Sequence, residues 1–227
     1  GAGIHYETNA TAQVVNCLFA RNHATEFGGA FFFKDSSPGV AHCTMTDNYA
    51  ADGGGAISCS NANPVLRDSI LWDDDIDEVF VFSGTPAITF CDVEGGWSGS
   101  ATNFDADPLF VTGADGEFFL GQTASGQPAD SPCVNTGSGP STSFSYPVLD
   151  RTFYMDTLTT RTNNGSDSGQ VDVGYHYDPS YDYCTEPGCS ISMLSSYYHP
   201  GDPFYIYVVA CNPDLITYPD MPLFVLL

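Results

Sequence analysis

Residues 3–24, GIHYETNATAQVVNCLFARNHA, stack without a gap on residues 29–50, GAFFFKDSSPGVAHCTMTDNYA, and on residues 55–76, GAISCSNANPVLRDSILWDDDI. Gly3, Gly29 and Gly55 mark a period of 26 residues. Pro38 and Pro64 keep that spacing, as do Cys17, Cys43 and Ser69. A period of this size means that each repeat is one supersecondary unit unable to bury its apolar face alone. Stacking the units builds the core.

Within each block the apolar runs are short and β-rich: Val14-Val15, Ala30-Phe31-Phe32-Phe33, Ile70-Leu71-Trp72. Gly, Asn, Asp, Ser and Pro interrupt them. No window sustains the i, i+3, i+4 spacing that a helix requires. The leucine-rich signature is missing, and propeller blades need longer periods. A coil of short strands and tight turns remains, which encircles a narrow core and pairs in parallel with the next coil. The fold class expected is all-β, a parallel β-helix with coils of about 26 residues. Equivalent residues then form columns with a spacing of ~4.8 Å. One column is Asn16, His42, Asp68, Phe90; the next is Cys17, Cys43, Ser69, Cys91; a third is Phe19, Met45, Leu71, Val93. The fourth members follow a repeat shortened to 22 residues, from Pro64 to Pro86. The Asn/His/Asp column is expected at a bend, its polar side chains bonding along the stack. The cysteine column suits a core.

The blocks SPGVAHCTMTDNYAADGGGAI and NPVLRDSILWDD, followed by FCDVEGGW, DADPLFV, SPCVNTG and VDVGYHY, resemble bacterial secreted right-handed parallel β-helix repeat proteins over residues 1–178. The resemblance implies a right-handed coil and export to the exterior or the cell surface. It brings no established catalytic residues, because such repeats occur in adhesin-like, structural and polysaccharide-active proteins alike.

The 28 acidic residues against five basic ones give a formal charge of −23. The cations besides His are Arg21, Lys34, Arg67, Arg151 and Arg161. Nucleic acid is excluded as a partner, since nothing neutralises a run of phosphates. Anionic membranes and polyanionic sugars are repelled unless a divalent cation intervenes. The acidity also keeps a long β surface soluble and its edges apart. Eight cysteines suit an oxidising compartment. Cys184 and Cys189 enclose the turn TEPG and are the expected disulfide. Cys17 and Cys43 either bridge adjacent coils or pack as free thiols. No transmembrane stretch or zinc spacing is present in the sequence.

Residues 1–178 read as the β-helix with its C-terminal cap, 179–189 as a linker, and 190–227 as the start of a β-sandwich-like module. Val171–Tyr175 reads as the last strand of the helix. The first residues already belong to a repeat and MPLFVLL ends on an apolar run, so the chain reads as a piece of a longer exported protein.

The densest acidic stretch is Asp73-Asp74-Asp75-Ile76-Asp77-Glu78, after Trp72 and where the period breaks. Paired carboxylates beside an aromatic platform are what a glycosidase uses. Asp74, Asp75 and Asp77 are therefore the catalytic candidates, and Asp73, Asp75 and Asp77 the calcium candidates. Arg67 and Lys34 are the cations available for a lyase-type proton abstraction. A solvated acidic turn is the plain alternative. No EF-hand loop is present. Three successive phenylalanines require at least one to face outward, so Phe32, with Tyr6 or Trp72, offers a sugar-stacking surface. These features favour a non-catalytic secreted or cell-surface scaffold for adhesion or glycan contact. A polysaccharide hydrolase or lyase, and a filament or surface-layer block associating through its solenoid ends, are the alternatives.

Overall fold

The computed structural model describes residues 3–148 and 151–179, together with the backbone of two further strands at 188–193 and 206–211. The chain is an all-β solenoid of parallel coils, each about 26 residues long. The first coil contains β1 (Ile4–Glu7), β2 (Val14–Val15), β3 (Leu18–Ala20) and β4 (His23–Ala24). The second contains β5 (Phe31–Lys34), β6 (Gly39–Ala41), β7 (Thr44–Thr46) and β8 (Tyr49–Ala50). The third contains β9 (Ile57–Ser60), β10 (Val65–Arg67) and β11 (Ile70–Trp72), and the fourth β12 (Val79–Val81), β13 (Ala87–Thr89) and β14 (Asp92–Val93). Three parallel sheets result, each four strands deep: β1-β5-β9-β12, β2-β6-β10-β13 and β3-β7-β11-β14. β4 and β8 form a short fourth ladder.

The register follows the repeat. Val14 pairs with Val40, Leu66 with Val40 and with Ile88, and Leu71 with Met45 and with Val93. The 22-residue repeat keeps the pairing because the shortening falls between β11 and β12, before the chain rejoins the ladders.

The corners repeat as well. Asn9, Asp35 and Asn61 form one; Asn16, His42, Asp68 and Phe90 a second; Arg21, Asp47 and Asp73 a third. Every one of these residues is left-handed, with φ between 50° and 62°. Asn and Asp tolerate that region best among residues with a Cβ, which is why they recur at 26-residue intervals. Gly54 turns the chain into the first sheet at φ 68°, where a Cβ would stand 2.2 Å from the Ile57 carbonyl.

The core is made by alternation. Phe31 and Phe33 point inward and Phe32 outward. Inward residues from all three sheets meet in one cluster containing Tyr6, Phe31, Phe33, Met45, Ile57, Leu66, Leu71 and Ile88. Trp97 packs on this cluster after the fourth coil, and Asn103 Nδ2 ties its loop to the Ile88 carbonyl at 2.9 Å. Residues 94–104 thus cover one end of the solenoid.

Residues 105–178 run along the flank rather than over the end. β15 (Phe110–Gly113) pairs antiparallel with β16 (Gly116–Leu120), and β17 (Ser145–Val148) with β18 (Arg151–Tyr154). Leu120, Cys133 and Val173 form a second cluster against Ile70, whose side chain leaves the third sheet outward. The segment expected as the last strand is no strand. It is a strap crossing the coils: the Gly174 N–H donates to the Asp68 carbonyl, Tyr175 N–H to Thr44 Oγ1 and His176 N–H to Asn16 Oδ1. Three consecutive residues therefore each engage a different coil.

The strap also corrects the expected role of the second corner. Its polar side chains do not bond along the stack. Asn16 Nδ2 donates to the His176 carbonyl, and Ser138 donates from both N and Oγ to the Asp68 carboxylate. His42 is fully buried between these layers, and neither ring nitrogen finds a hydrogen-bond partner among the described residues. Burial, then the His176 and Arg67 charges, holds its pKa well below the ordinary histidine value, so the ring is neutral and packs as an aromatic against Phe144.

Cys17, Cys43, Cys59, Cys91 and Cys133 are free thiols. Of the two alternatives for Cys17 and Cys43, free thiols stand. Cys17, Cys43 and Cys91 each donate to the carbonyl two residues earlier at 3.3 Å, a contact repeated in every coil that carries the cysteine. Of the expected Cys184–Cys189 disulfide, Cys184 and the side chain of Cys189 lie outside the described residues, as does the apolar MPLFVLL run. In the C-terminal region β19 (Gly188–Met193) and β20 (Ile206–Cys211) pair antiparallel. Among the described residues no helix is long and apolar enough to cross a membrane.

Candidate functional site

The outward face of the first sheet carries an aromatic surface. Parallel register places His5, Phe32, Ser58 and Phe80 in one column. The rings of His5 and Phe32 lie 4.9 Å apart. Ser58 is the small member and is buried, its hydroxyl donating to the Gly53 carbonyl. Phe27, from the preceding turn, spans the gap: its ring is 6.4 Å from Phe32 and stacks on Phe80 at 5.7 Å. Phe82, 50 % exposed, meets Phe27 edge-on at 4.5 Å and Phe80 at 4.7 Å. Gly53 makes the packing work, because Phe80 Cδ2 lies 2.9 Å from where a Cβ would stand. His5, Phe32, Phe27, Phe80 and Phe82 thus form a continuous half-exposed row across four rungs, ~14 Å long at the inter-strand spacing.

Phe32 takes the outward position read from the sequence. Tyr6 does not belong with it. It is 2 % exposed in the solenoid core, with its hydroxyl donating to the Ala12 carbonyl at 3.0 Å. The one-residue alternation that sends Phe32 outward sends Tyr6, in register with Phe33, inward. Trp72 is half-buried against the Ile70–Leu120 cluster on the flank, on a different sheet from Phe32. Phe27, Phe80 and Phe82 were missed. Phe80 was legible, since it follows Ser58 by the shortened interval of 22. Phe27 and Phe82 lie outside the strands and had no periodic signal.

The acidic stretch Asp73–Glu78 divides by direction. Asp74 turns inward, 6 % exposed, and ends a ladder of side chains that begins at Asn22. Asn22 donates from N and Nδ2 to Asn48 Oδ1, at 3.0 and 2.8 Å. Asn48 donates in the same way to Asp74 Oδ1, at 2.6 and 2.7 Å. The Asp74 N–H donates to Glu78 Oε1 at 3.0 Å. Asp74 Oδ2 and Glu78 Oε2 are buried without a conventional donor, and a proton shared between the carboxyls satisfies both. Burial raises both groups: Asp74 to about 7, and Glu78, with the adjacent Asp74 charge adding to the desolvation, to about 11. Glu78 holds the proton at neutral pH. The ladder residues Asn22, Asn48 and Asp74 recur at 26-residue spacing, a signal present in the aligned blocks.

Asp73, Asp75 and Asp77 are exposed. Asp75 continues the coil: its N–H donates to the Asn48 carbonyl and its carbonyl accepts from Ala50. Asp77 Oδ1 accepts the Gly54 N–H at 2.5 Å. Asp73, Asp75 and Asp77, the calcium candidates, are not gathered into one group of side chains. No three Asp, Glu, His or Cys side chains among the described residues converge on a metal position. The ladder pulls Asp74 inward and spreads its neighbours around the turn. Asp74, as the catalytic candidate, is inside the wall; Asp75 and Asp77 are engaged in closing the turn. Lys34 pairs with Glu7 at 2.7 Å and Arg67 with Asp68 at 3.1 Å, so neither side chain is a free base.

Fold and face together define a β-solenoid repeat protein with one aromatic flank. Residues 42–60, HCTMTDNYAADGGGAISCS, match the family described as the Chlamydia polymorphic membrane protein (Chlamydia_PMP) repeat. The match covers the second corner, β7, the ladder residue Asn48, the glycine turn and β9. No curated protein and no solved structure matches the chain.

Proposed function

We propose that the chain is the solenoid scaffold of an outer-surface or secreted adhesin, and that the row of His5, Phe32, Phe27, Phe80 and Phe82 is its contact surface for a neutral glycan. The row is the observation that supports the reading. Half-exposed rings, backed by a rigid sheet and spaced by the rungs, present flat apolar faces at low entropic cost. In a chain of charge −23, a contiguous half-exposed apolar strip needs a reason, since contiguous exposed apolar patches mark interaction sites. Surface exposure of the parent protein is supported by the polymorphic membrane protein repeat at 42–60. Within this reading, residues 1–178 are the scaffold and 190–227 begin a separate β module joined by 179–189.

The test is retention on a glycan array and on immobilised neutral polysaccharides. The wild-type chain is retained, and Phe27→Ala with Phe80→Ala weakens retention at least about tenfold, the size of one lost aromatic contact. Equal retention of the variant, or no retention of the wild type on any glycan, removes the assignment.

A further inference from the structure

Inside the flank lies a polar cluster separate from the Asn22–Asn48–Asp74 ladder. Gln122, which follows β16, Thr160, and Asp172 of the strap are 2 %, 1 % and 3 % exposed. Three segments bring them together. The Leu120 N–H donates to the Thr160 carbonyl at 2.9 Å, which sets Thr160 beside the end of β16. Asp172 is fixed from two sides: its Oδ1 accepts the Asn135 N–H at 2.7 Å, and its own N–H donates to Asp167 Oδ2 at 3.0 Å. The Thr160 hydroxyl donates to Asp172 Oδ2 at 2.5 Å and accepts from Gln122 Nε2 at 2.8 Å. Gln122 Nε2 also lies 3.4 Å from the same Asp172 oxygen. On the other side of the amide, Arg161 Nε donates to Gln122 Oε1 at 2.7 Å. In a chain with five Lys and Arg against 28 acidic residues, Arg161 thus directs a donor at a neutral carbonyl oxygen.

We propose that Thr160 and Gln122 join through an ester cross-link that the folded chain makes by itself. Each part of an acyl transfer is in place: a hydroxyl nucleophile, a carboxylate base in hydrogen-bond contact with it, and a cationic donor on the oxygen where negative charge develops. Thr160 Oγ1 attacks Gln122 Cδ, and its proton passes to Asp172 Oδ2. Arg161 holds the oxyanion of the tetrahedral adduct. The adduct collapses with loss of the amide nitrogen, which takes the proton back from Asp172 and leaves as ammonia. One C–N bond is exchanged for one C–O bond, and no co-reactant is consumed. Oγ1 stands within ~4 Å of Cδ, because Nε2 is a single amide bond away from that carbon. Attack requires the amide to turn its face towards Oγ1, and the terminal torsion of Gln is broad enough to allow it. Burial, with the neighbouring Asp167 charge adding to it, raises Asp172 above the ordinary carboxylate range, which makes it a stronger base. The same burial keeps water from the ester once formed, and ammonia diluted into solvent does not reverse the step. The bond ties the end of β16 to the segment leading into the strap, across 38 residues of sequence, so the flank resists being peeled from the coils.

The test is the intact mass of the whole folded chain, followed by peptide mapping. The expected mass is lower than that of the sequence by one ammonia, about 17 Da. Digestion should yield a branched peptide joining Gln122 to Thr160, which alkaline hydroxylamine opens to a hydroxamate at Gln122 and a free Thr160. Thr160→Val removes the nucleophile and Asp172→Asn the base, and both should keep the full sequence mass. Thr160→Ser keeps a hydroxyl in the same place and should restore the loss. Asn164-Gly165 is a second place where ammonia can leave, by succinimide formation, so the position of the loss is part of the readout. A wild-type chain that keeps its full sequence mass after prolonged incubation at neutral pH overturns the cross-link and leaves a hydrogen-bonded network. So does a loss that persists in Thr160→Val or maps to Asn164. The wild-type mass decides by itself, whether or not every variant folds, and neither result touches the glycan-contact reading.

Discussion

At the scale of single residues, the decisive side chains are polar ones inside the wall. Asn48 links the ladder, accepting from Asn22 and donating to Asp74 and to the Phe19 carbonyl. Asn48→Ala strands buried donors and acceptors on both neighbours, and the expected loss is about 2–4 kcal/mol, read as a lower midpoint in urea unfolding. The Asp74–Glu78 pair predicts a pH dependence whose sign follows from its proton. Both native pKa values are raised above ordinary carboxylate values, so the native state binds more protons than the unfolded chain. Stability from the shared proton is then fully present below pH ~4. It is lost as pH rises through about 7 and towards about 11. Asp92, which burial raises to about 7, acts in the same direction. Glu78→Gln keeps an oxygen acceptor for the Asp74 N–H but cannot ionise. Between pH 7 and 10 the wild type should lose several degrees of melting temperature, on the scale of ~2–4 °C per kcal/mol, and the variant distinctly less. Parallel melting curves across that range would refute the shared proton. The corner columns were legible because left-handed Asn and Asp recur at a fixed interval. Tyr6 was misplaced because an aromatic in a short strand shows its face only once the register is known.

At the scale of elements, the sheets were legible and the strap was not. Short β-rich runs at 26 residues specify both strand positions and parallel pairing, and the inward columns at Met45 and Leu71 follow from that arithmetic. Residues 105–178 carry no period, so nothing in them announces that VDVGYHY runs across the coils instead of joining a ladder. Its apolar alternation, Val171 and Val173, belongs to the packing of a strap on Ile70 and Leu158, which periodicity alone does not separate from a strand. Gly174 is the position that makes the crossing. It has φ 102°, and a Cβ there would lie 2.6 Å from Ile70 Cδ1 and 2.8 Å from Thr44 Oγ1. Gly174→Val forces the strap off the third sheet. The expected cost is about 2–4 kcal/mol from conformation and overpacking combined, with faster amide exchange concentrated at 171–177. Exchange that rises evenly over the whole solenoid would contradict a local strap.

At the scale of the whole molecule, the repeat and the strap impose opposite behaviours. In a bare solenoid each coil touches only its neighbours, so stability is a sum of rungs and interfaces and the ends fray first. This chain adds contacts that ignore that order. His176 reaches Asn16 in the first coil, across 160 residues of sequence, while Gly174 holds Asp68 in the third. Glu117 pairs with Arg21 of the first coil as well. These long-range bonds tie the outermost described coil to the interior ones, and loss of any coil opens the flank that covers the others. The wild-type chain should therefore unfold its coils in one cooperative transition, whatever the repeat pattern alone suggests. Cutting the tie restores repeat behaviour. Asn16→Gly removes both bonds to the His176 backbone and still adopts the left-handed corner at φ 50°. It should broaden the urea transition and lower its m-value, as the first coil melts ahead of the rest. Exchange would then be fastest in Ile4–Ala24 and slow in the third and fourth coils. A variant that keeps the wild-type m-value and a uniform exchange profile would mean that rung-to-rung packing alone makes the solenoid cooperative, and that the strap is a passenger on it.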